Sequence, residues 1–362
     1  MIELKKKVVF VISSLGKGGA ERVVSSLANS LCNKDYDVSV ILVTANRIVY
    51  KVDERIKIYN LNGEGINKKT FIGRMRTRIK NIKKTINAIN PDVVVSFLSS
   101  INIETAFAMK KLKTPLIVSE RNDPAIDPQS RIKRLLRKIA YKRPNGFVFQ
   151  TPDAQKYFNK KIQNRSRIIL NPLTEKLPEP YVGERDNRVV AVGRLEPQKN
   201  YRFLLDAFAE FIKIHPEYIL EIYGDGEQNI QAVIEEKQLQ DKVILKGFSK
   251  TVLEDIKSAG MYVMSSKYEG LPNALMEAMA LGLPCISTDC PCGGPRLLIR
   301  DKENGLLVPL NNVESLVTAM QYVAENKENA SQMAEKATKL KEIANLEAIT
   351  NQWMEYIDVC SK

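Results

Sequence analysis

The sequence contains one histidine, His215, and five cysteines among its 362 residues. So few cysteines do not form a disulfide framework, which indicates a reducing compartment. Cys290 and Cys292 form a pair that has no second pair, and one histidine cannot complete a zinc site with them, so we expect no metal. No apolar run approaches the roughly 20 residues that a membrane-spanning helix needs. Together these features favour a cytoplasmic protein without a resident metal.

The two common phosphate-binding fingerprints are also missing. The glycine-rich segment that runs from Gly16 to Arg22 is neither G-x-G-x-x-G nor a Walker A loop. Without that fingerprint and its downstream ribose-binding acid, a Rossmann dehydrogenase is disfavoured. The apolar run after Lys7 is too short for a signal peptide and leads into this glycine loop, so it predicts a buried first strand.

Short β-branched runs alternate with amphipathic segments along the whole chain, which predicts βαβ units around parallel sheets. The series restarts after a proline-bearing break at Leu177–Pro180. We therefore predict a first Rossmann-like domain over residues 1–176, a linker over 177–187, a second domain over 188–343, and a terminal helix within 344–362. The predicted strands are Val8–Ile12, Val38–Val43, Val93–Phe97, Leu116–Ser119, Gly146–Gln150, Val189–Val192, Ile219–Tyr223, Val243–Lys246, Met261–Ser265 and Cys285–Thr288.

The segment from Glu269 to Ala280 is the most informative in the chain. Pro272 suits the first position of a helix that Gly282 would end, so Glu269 would lie in the preceding loop and Glu277 inside the helix. A helix N-terminus attracts phosphate. Carboxylates beside it would repel phosphate and therefore suit sugar hydroxyl groups. A phosphate flanked by sugars describes a nucleotide sugar, while the alternative is an ordinary pair of exposed acids.

Five motifs in order carry a resemblance that spans nearly the whole chain. They are Gly16–Arg22, Gly193–Asn200, Gly224–Gly226, Glu269–Ala278 and Asn304–Val308. The chain resembles the retaining glycosyltransferases of family four. The resemblance implies the GT-B fold, which has two Rossmann-like, doubly wound parallel-sheet domains facing across a cleft, with the terminal helix packing back on the first domain.

The resemblance also implies roles for single residues. Arg194 and Lys199 would neutralise the departing diphosphate, and Glu269 would hold the donor hexose, so these three are the candidate catalytic residues. Glu277 would accept from ribose hydroxyls. The other candidate residues for binding the nucleotide sugar are Gly18, Gly19, Gly270, Leu271, Pro272, Asn273 and Ala274. Gly18 and Gly19 equally fit a plain tight turn. Asp225 is expected only to hold a turn.

The chain departs from the family at one position. Many relatives carry a histidine after the fourth strand of the first domain, where this sequence has Arg121. Arg121 stays protonated and cannot act as a general base. It could instead hold an acceptor phosphate or pair with Glu120. His215 precedes Pro216 at a predicted helix end and is expected to be structural.

Charge is divided unevenly between the two halves. Residues 1–180 carry a net charge of +20 and the remainder −7. Within the segment Arg131–Arg143, Ile132, Leu135, Leu136 and Ile139 form an apolar stripe beside Arg131, Arg134 and Lys138. Such a helix fits an anionic membrane or a diphosphate-bearing acceptor, while the alternative is an ordinary solvated helix. Because no aromatic residues are interleaved with the cations, we expect no nucleic acid partner.

These patterns predict a retaining, metal-independent hexosyltransferase without a cofactor. The expected donor is a UDP-hexose or UDP-N-acetylhexosamine, and UDP is preferred to GDP only because the family commonly uses it. The expected acceptor is a polyprenyl-diphosphate-linked saccharide or another surface glycan, used at the inner face of the cytoplasmic membrane. The alternatives are a two-Rossmann sugar-nucleotide epimerase and a non-catalytic basic scaffold at a membrane.

Overall fold

The computed structural model describes residues 5–16, 18–63 and 70–361. It divides the chain into two compact units. The first runs to Pro172 and takes in the chain from Leu346, and the second is Leu173–Asn345. The segment predicted as a linker, 177–187, lies inside the second unit. The N–H of Leu173 donates to Ala344 O (2.8 Å), which ties the first residue of that unit to its end.

The first unit is built around one parallel sheet. Its central strands are short apolar runs that helices cover, as expected for strands buried on both faces. The strand order is β3-β2-β1-β4-β5-β6-β7, which is a doubly wound arrangement. The strands in the described residues are β1 (Lys7–Ile12), β2 (Asp37–Leu42), β3 (Lys57–Asn60), β4 (Val93–Phe97), β5 (Leu116–Ser119), β6 (Gly146–Phe149) and β7 (Ser166–Ile168).

The helices of this unit include the last one in the chain. Trp353 on that helix is buried and stacks on Phe97 of β4, with ring centroids 5.7 Å apart. Tyr356 Oη on the same helix accepts from the N–H of Phe147 (2.9 Å). The helices are α1 (Gly19–Asn33), α2 (Phe71–Ile89), α3 (Ser99–Ala108), α4 (Arg131–Ala140), α5 (Pro152–Lys156), α6 (Lys160–Gln163) and α15 (Leu346–Ser361).

The second unit repeats the plan with the strand order β10-β9-β8-β11-β12-β13, again parallel throughout. Its strands are β8 (Asp186–Val192), β9 (Ile219–Tyr223), β10 (Val243–Gly247), β11 (Ala259–Met264), β12 (Cys285–Thr288) and β13 (Leu306–Val308). Its helices are α7 (Tyr201–Phe211), α8 (Ile230–Glu236), α9 (Val252–Ile256), α10 (Asn273–Ala280), α11 (Gly294–Leu298), α12 (Val313–Glu325), α13 (Lys327–Ala337) and α14 (Leu340–Ala344), with a short 3₁₀ turn at Pro197–Lys199.

Two parallel sheets with interleaved helices confirm the predicted pair of Rossmann-like folds. The carboxyl ends of the strands are where such folds bind ligands. That edge carries Gly18 after β1 and Arg121 after β5 in the first unit. In the second unit it carries Lys199 after β8 and Glu269 after β11. None of the helices in the described ranges combines the length and apolar character that crossing a bilayer requires.

Candidate active site

The helix α10 holds one of the two candidate carboxylates and follows the other. It starts at Asn273, one residue later than predicted, because Pro272 has extended backbone (φ −78°, ψ 103°) and occupies the N-cap position. The helix ends before Gly282, whose φ of +70° suits glycine. Glu277 is buried inside the helix, and Glu269 is buried in the loop before it. Two buried carboxylates need polar partners, which makes this segment unlike a solvated helix surface.

Lys199 and Glu269 form an ion pair, with 2.6 Å between Lys199 Nζ and Glu269 Oε1. The side chain of Lys199 is 19% exposed and that of Glu269 is 10% exposed. Ser266 Oγ donates to the same carboxylate oxygen (2.8 Å). Both contacts fall on Oε1, so Oε2 has capacity to accept a further hydrogen bond.

Backbone contacts fix the position of this pair. Ser265 Oγ donates to Lys199 O (2.8 Å), and Gln198 Nε2 donates to Tyr268 O (2.9 Å). The N–H of Lys267 donates to Gln198 O (2.8 Å). The loop after β8 is therefore bonded to the loop after β11. Ser265 and Ser266 are not among the residues predicted for the site, and a Ser-Ser step at the end of a buried strand is the signal that marks them.

A second loop, formed by residues 290–293 before α11, packs against the loop that holds Glu269. The N–H of Glu269 donates to Pro291 O (2.7 Å), and the N–H of Cys292 donates to Glu269 O (3.0 Å). A Cβ on Gly294 would lie 2.0 Å from Gly270 O, so this position has no room for a side chain. Burial raises the pKa of the nearby Cys290 thiol to about 12, so this cysteine is a neutral packing residue.

The remaining candidates of the second unit lie around this pair. Gly270, Leu271 and Pro272 are buried in the loop, and Asn273 and Ala274 are half-buried in the first helical turn. Asp225 Oδ1 accepts from the N–H of Phe248 (3.0 Å), so this side chain joins the loop after β9 to the loop after β10.

Arg194 takes a different position from the one its predicted role suggests. Its side chain is 64% exposed, and Nη1 lies 2.7 Å from Glu196 Oε1. The structure thus brings Lys199 and Glu269 together, while the Arg194 guanidinium is engaged with its own loop.

The glycine loop of the first unit stands at the start of α1. Gly18 is the N-cap residue, and the helix begins at Gly19. Lys17 lies outside the described residues. A Cβ on Gly18 would lie 2.0 Å from Glu21 Oε2, so a carboxylate already faces the positive end of the helix. This end therefore suits hydroxyl groups better than a diphosphate.

Arg121 is not paired with Glu120. Its Nη1 donates to Asn171 Oδ1 (2.8 Å), and its guanidinium lies 4.6 Å from the centre of the Phe97 ring. Its Nε and Nη2 are buried and have no hydrogen-bond partner within the described residues. Burial lowers the pKa of Arg121 to about 9, so the group remains charged at neutral pH. Two buried donors of a cation are suited to an anion.

Glu120 points instead into a buried cluster. Tyr141 Oη donates to Glu120 Oε1, and Arg137 Nη1 lies 4.0 Å from the same oxygen. Arg137 also donates to Asp127 O and Pro124 O, both at 2.7 Å. Burial raises the pKa of Glu120 to about 7, against the lowering by Arg137 and the Tyr141 hydrogen bond.

This raised pKa predicts that the stability of the protein depends on pH through Glu120. The pKa of Glu120 in the folded protein lies above the ordinary 4.5, so ionisation favours the unfolded chain. The neutral Glu120 carboxyl stabilises the folded protein, and this contribution is complete below about pH 4.5 and is lost as the pH rises to about 7. We expect Glu120→Gln to raise the melting temperature, relative to the wild type, by roughly 3–10 °C more at pH 8 than at pH 5. A difference between the two proteins that stays constant over this range would contradict the prediction.

Three of the four candidate acceptor residues lie on α4, and the fourth is Arg121 after β5. Arg131 and Lys138 are exposed, whereas Arg134 Nε donates to Pro128 O (2.8 Å). Ile132 is 67% exposed and Leu135 60% exposed, so the predicted apolar stripe faces outwards. The basic run is not uniformly solvated, because the intervening Arg137 is buried.

His215 contributes to packing. Its ring stacks on Phe211 of α7, with centroids 5.0 Å apart, and lies 3.2 Å from a carboxylate oxygen of Glu325. Within residues 5–16, 18–63 and 70–361, no three metal-ligating side chains come together.

A solved structure of similar fold and two family models show the class to which this protein belongs. The structure is similar to that of HepE from Anabaena in complex with UDP and glucose, with a TM-score of 0.81, 17% identity and coverage of 98% of this chain and 99% of that one. At this identity the similarity establishes the fold alone, which is the GT-B fold. Residues 174–340 match the family described as glycosyl transferases group 1, and residues 17–175 match glycosyltransferase family 4.

Sequence relatives place the chain within that class. It is 30% identical to an uncharacterized glycosyltransferase of Methanocaldococcus jannaschii over 69% of each chain. It is 29% identical, over 97% of its length and 98% of the relative, to a Campylobacter jejuni enzyme. That enzyme is named as an α-1,4-N-acetyl-D-galactosaminyltransferase acting on a GalNAc-containing diNAcBac-PP-undecaprenol. The chain belongs to glycosyltransferase family 4 and is a glycosyltransferase.

Proposed function

We propose that this protein transfers a hexose or N-acetylhexosamine from a UDP-sugar to a polyprenyl-diphosphate-linked saccharide, with retention of configuration and without a metal. The observation that carries the proposal is the largely shielded ion pair of Lys199 and Glu269 in the loops before α10. One member is suited to a phosphate and the other to a sugar hydroxyl. The names of the Campylobacter relative and the Anabaena complex support the acceptor and the nucleotide, respectively.

Lys199 is the proposed electrophilic residue. Negative charge grows on the leaving diphosphate as the glycosidic bond breaks, and a preformed ammonium in a largely dry position stabilises it most in the transition state. Glu269 orients the hexose through Oε2, and Glu277 accepts from the ribose. Arg194 is exposed and paired with Glu196, so its contribution is expected to be smaller than that of Lys199.

The first unit is proposed to receive the acceptor. Arg121 offers two buried donor nitrogens, Nε and Nη2, that suit phosphate oxygens, and Gly18 and Gly19 suit hydroxyl groups. Arg131 and Lys138 are exposed and add to the attraction for a diphosphate. In a retaining transfer without a protein nucleophile, the leaving phosphate accepts the proton of the acceptor hydroxyl.

The test is a transfer assay with a radiolabelled UDP-sugar and a short polyprenyl-diphosphate saccharide. We expect label to move to the lipid fraction, with the anomeric configuration unchanged and with activity resistant to a metal chelator. Isomerised nucleotide sugar without transfer would show an epimerase instead. Equal use of a soluble sugar that lacks both lipid and diphosphate would contradict the proposed acceptor.

The outward face of α4 supports a further part of the proposal, namely binding to an anionic membrane. Ile132, Leu135 and Ile139 are exposed on this face, and Phe71 and Ile72 at the start of α2 are exposed beside it. Lys133 Nζ lies 5.7 Å from the centre of the Phe71 ring, which connects the two groups. We call these five apolar residues the α4 face. Apolar residues flanked by cations are typical of helices that lie in the membrane interface.

We predict that Ile132→Ser with Leu135→Ser weakens binding to vesicles of phosphatidylglycerol and phosphatidylcholine by about tenfold or more. The reason is the loss of apolar surface that would otherwise leave water. Co-sedimentation at low salt measures the binding. Ile214→Ser with Ile343→Ser, which changes two exposed isoleucines of the second unit, is the matched control. Equal binding by both double variants would contradict membrane docking through the α4 face.

A further inference from the structure

A cavity of about 770 Å³ in the first unit is lined by cations. Lys138 and Lys142 contribute from the end of α4, Lys160 and Lys161 from α6, and Arg165 from the turn that follows. The other lining residues are Tyr141, Asn159 and Ile162, so none of the described residues lining it is acidic. We call this cavity the α4–α6 pocket.

The α4–α6 pocket lies at the amino edge of the sheet. Arg165 directly precedes β7, and its carbonyl accepts from the N–H of Phe147 at the start of β6 (2.9 Å). Gly18 and Arg121 follow their strands at the opposite, carboxyl edge, where this fold binds its ligands. The pocket is therefore away from Gly18 and Arg121, and of the proposed acceptor residues only Lys138 also lines it.

Arg165 forms a rigid wall of the pocket. Its Nη1 donates to Pro144 O (2.7 Å), its Nε donates to Lys161 O (3.1 Å), and its guanidinium lies 5.6 Å from the centre of the Phe147 ring. The four lysines are exposed, and no ion pair joins them to a carboxylate in the described part of the chain. Positive groups that converge on one concavity repel each other, and a bound anion relieves that repulsion.

We infer that the α4–α6 pocket binds the phosphate headgroup of an anionic membrane lipid. Lys138 is the neighbour of Ile139, so the pocket continues directly from the proposed membrane-binding α4 face. A lipid can place its phosphate among the lysines while its acyl chains remain beside the apolar residues. This inference rests on the proposed docking of the α4 face, and it adds a site selective for phosphate to that surface.

The experiment compares two anionic surfaces of equal charge, vesicles containing phosphatidylglycerol and vesicles containing oleate in phosphatidylcholine. We expect the wild type to bind the phosphatidylglycerol vesicles several-fold more tightly. Lys160→Glu with Lys161→Glu is expected to lose this preference and to bind phosphatidylglycerol about tenfold or more weakly. The matched control is Lys51→Glu with Lys57→Glu, which makes the same charge change at the start of β3 and just before it. β3 is the outermost strand on the far side of the sheet from β7, so this variant should keep the preference.

Each of the other outcomes would contradict one particular part of the proposal. If the wild type binds neither vesicle, the docking of the α4 face fails, and this inference fails with it. If the wild type binds but the Lys160/Lys161 variant behaves like its control, only the headgroup pocket is overturned. If millimolar inorganic phosphate abolishes the preference and raises the melting temperature of the wild type but not of the Lys160/Lys161 variant, the pocket is a site for free phosphate. That result also overturns the lipid assignment.

Discussion

Replacing Lys199 by alanine is expected to lower kcat by about 10²–10³-fold. The Lys199 ammonium is preformed by its contact with Glu269 (2.6 Å) and is mostly shielded from water, so its charge acts on the leaving diphosphate with little screening. Initial rates at saturating UDP-sugar measure the effect. We expect Arg194→Ala to cost less, about tenfold, because that side chain is exposed and paired with Glu196.

Two controls separate this effect from a loss of folding. Lys213→Ala removes an exposed lysine of the same unit that pairs with Glu210 and should leave kcat unchanged. The second control is the melting temperature of Lys199→Ala. We expect this variant to be folded at the assay temperature, because Glu269 keeps its hydrogen bond from Ser266. A Lys199→Ala enzyme that works within about threefold of the wild type would exclude the electrophilic role.

Glu269→Gln and Glu277→Gln are expected to separate binding of the sugar from binding of the nucleotide. Glu277→Gln should weaken UDP binding by roughly tenfold or more, because a charged acceptor for the ribose hydroxyls is lost. Glu269→Gln should leave UDP affinity within about twofold and lower kcat/KM for the complete UDP-sugar by about 10²-fold. Titration calorimetry with UDP and initial-rate kinetics give the two quantities.

The matched control for both glutamates is Glu303→Gln, which changes an exposed residue of the same unit. It should alter neither quantity. If both site variants weaken UDP to the same degree, the division of roles between loop and helix is wrong. If neither lowers kcat/KM, the two carboxylates do not contact the donor.

Nine of the ten strands that the sequence predicted lie inside a sheet, and the tenth, β10, is an edge strand of the second sheet. Runs such as Val93–Phe97 and Ile219–Tyr223 are almost wholly buried, and burial on both faces leaves a continuous apolar signal. The edge strands β3, β7 and β13 were missed because Lys57–Asn60, Ser166–Ile168 and Leu306–Val308 have only three or four residues each, too few to give a recognisable run. Edge strands are stabilised by pairing with a neighbour, which a local pattern does not record.

The candidate site could be predicted from the sequence where a functional residue and the signals that fix its place in a helix or loop lie in the same segment. The loop and helix around Glu269 and Glu277 are an example, since proline and glycine mark the helix ends. The pairing of Lys199 with Glu269 joins residues 70 positions apart and depends on how two strand ends are placed in the sheet. Arg137 looked like its basic neighbours on α4, and only the fold shows that it is buried among backbone carbonyls.

A crystal structure of the protein with an intact UDP-sugar shows directly whether Lys199, Glu269 and Glu277 hold the donor. We expect a diphosphate oxygen within about 2.7–3.2 Å of Lys199 Nζ, the hexose hydroxyls on Glu269 and the ribose hydroxyls on Glu277. A diphosphate bound elsewhere, with the Lys199–Glu269 pair undisturbed and neither carboxylate in contact with the donor, would contradict this expectation.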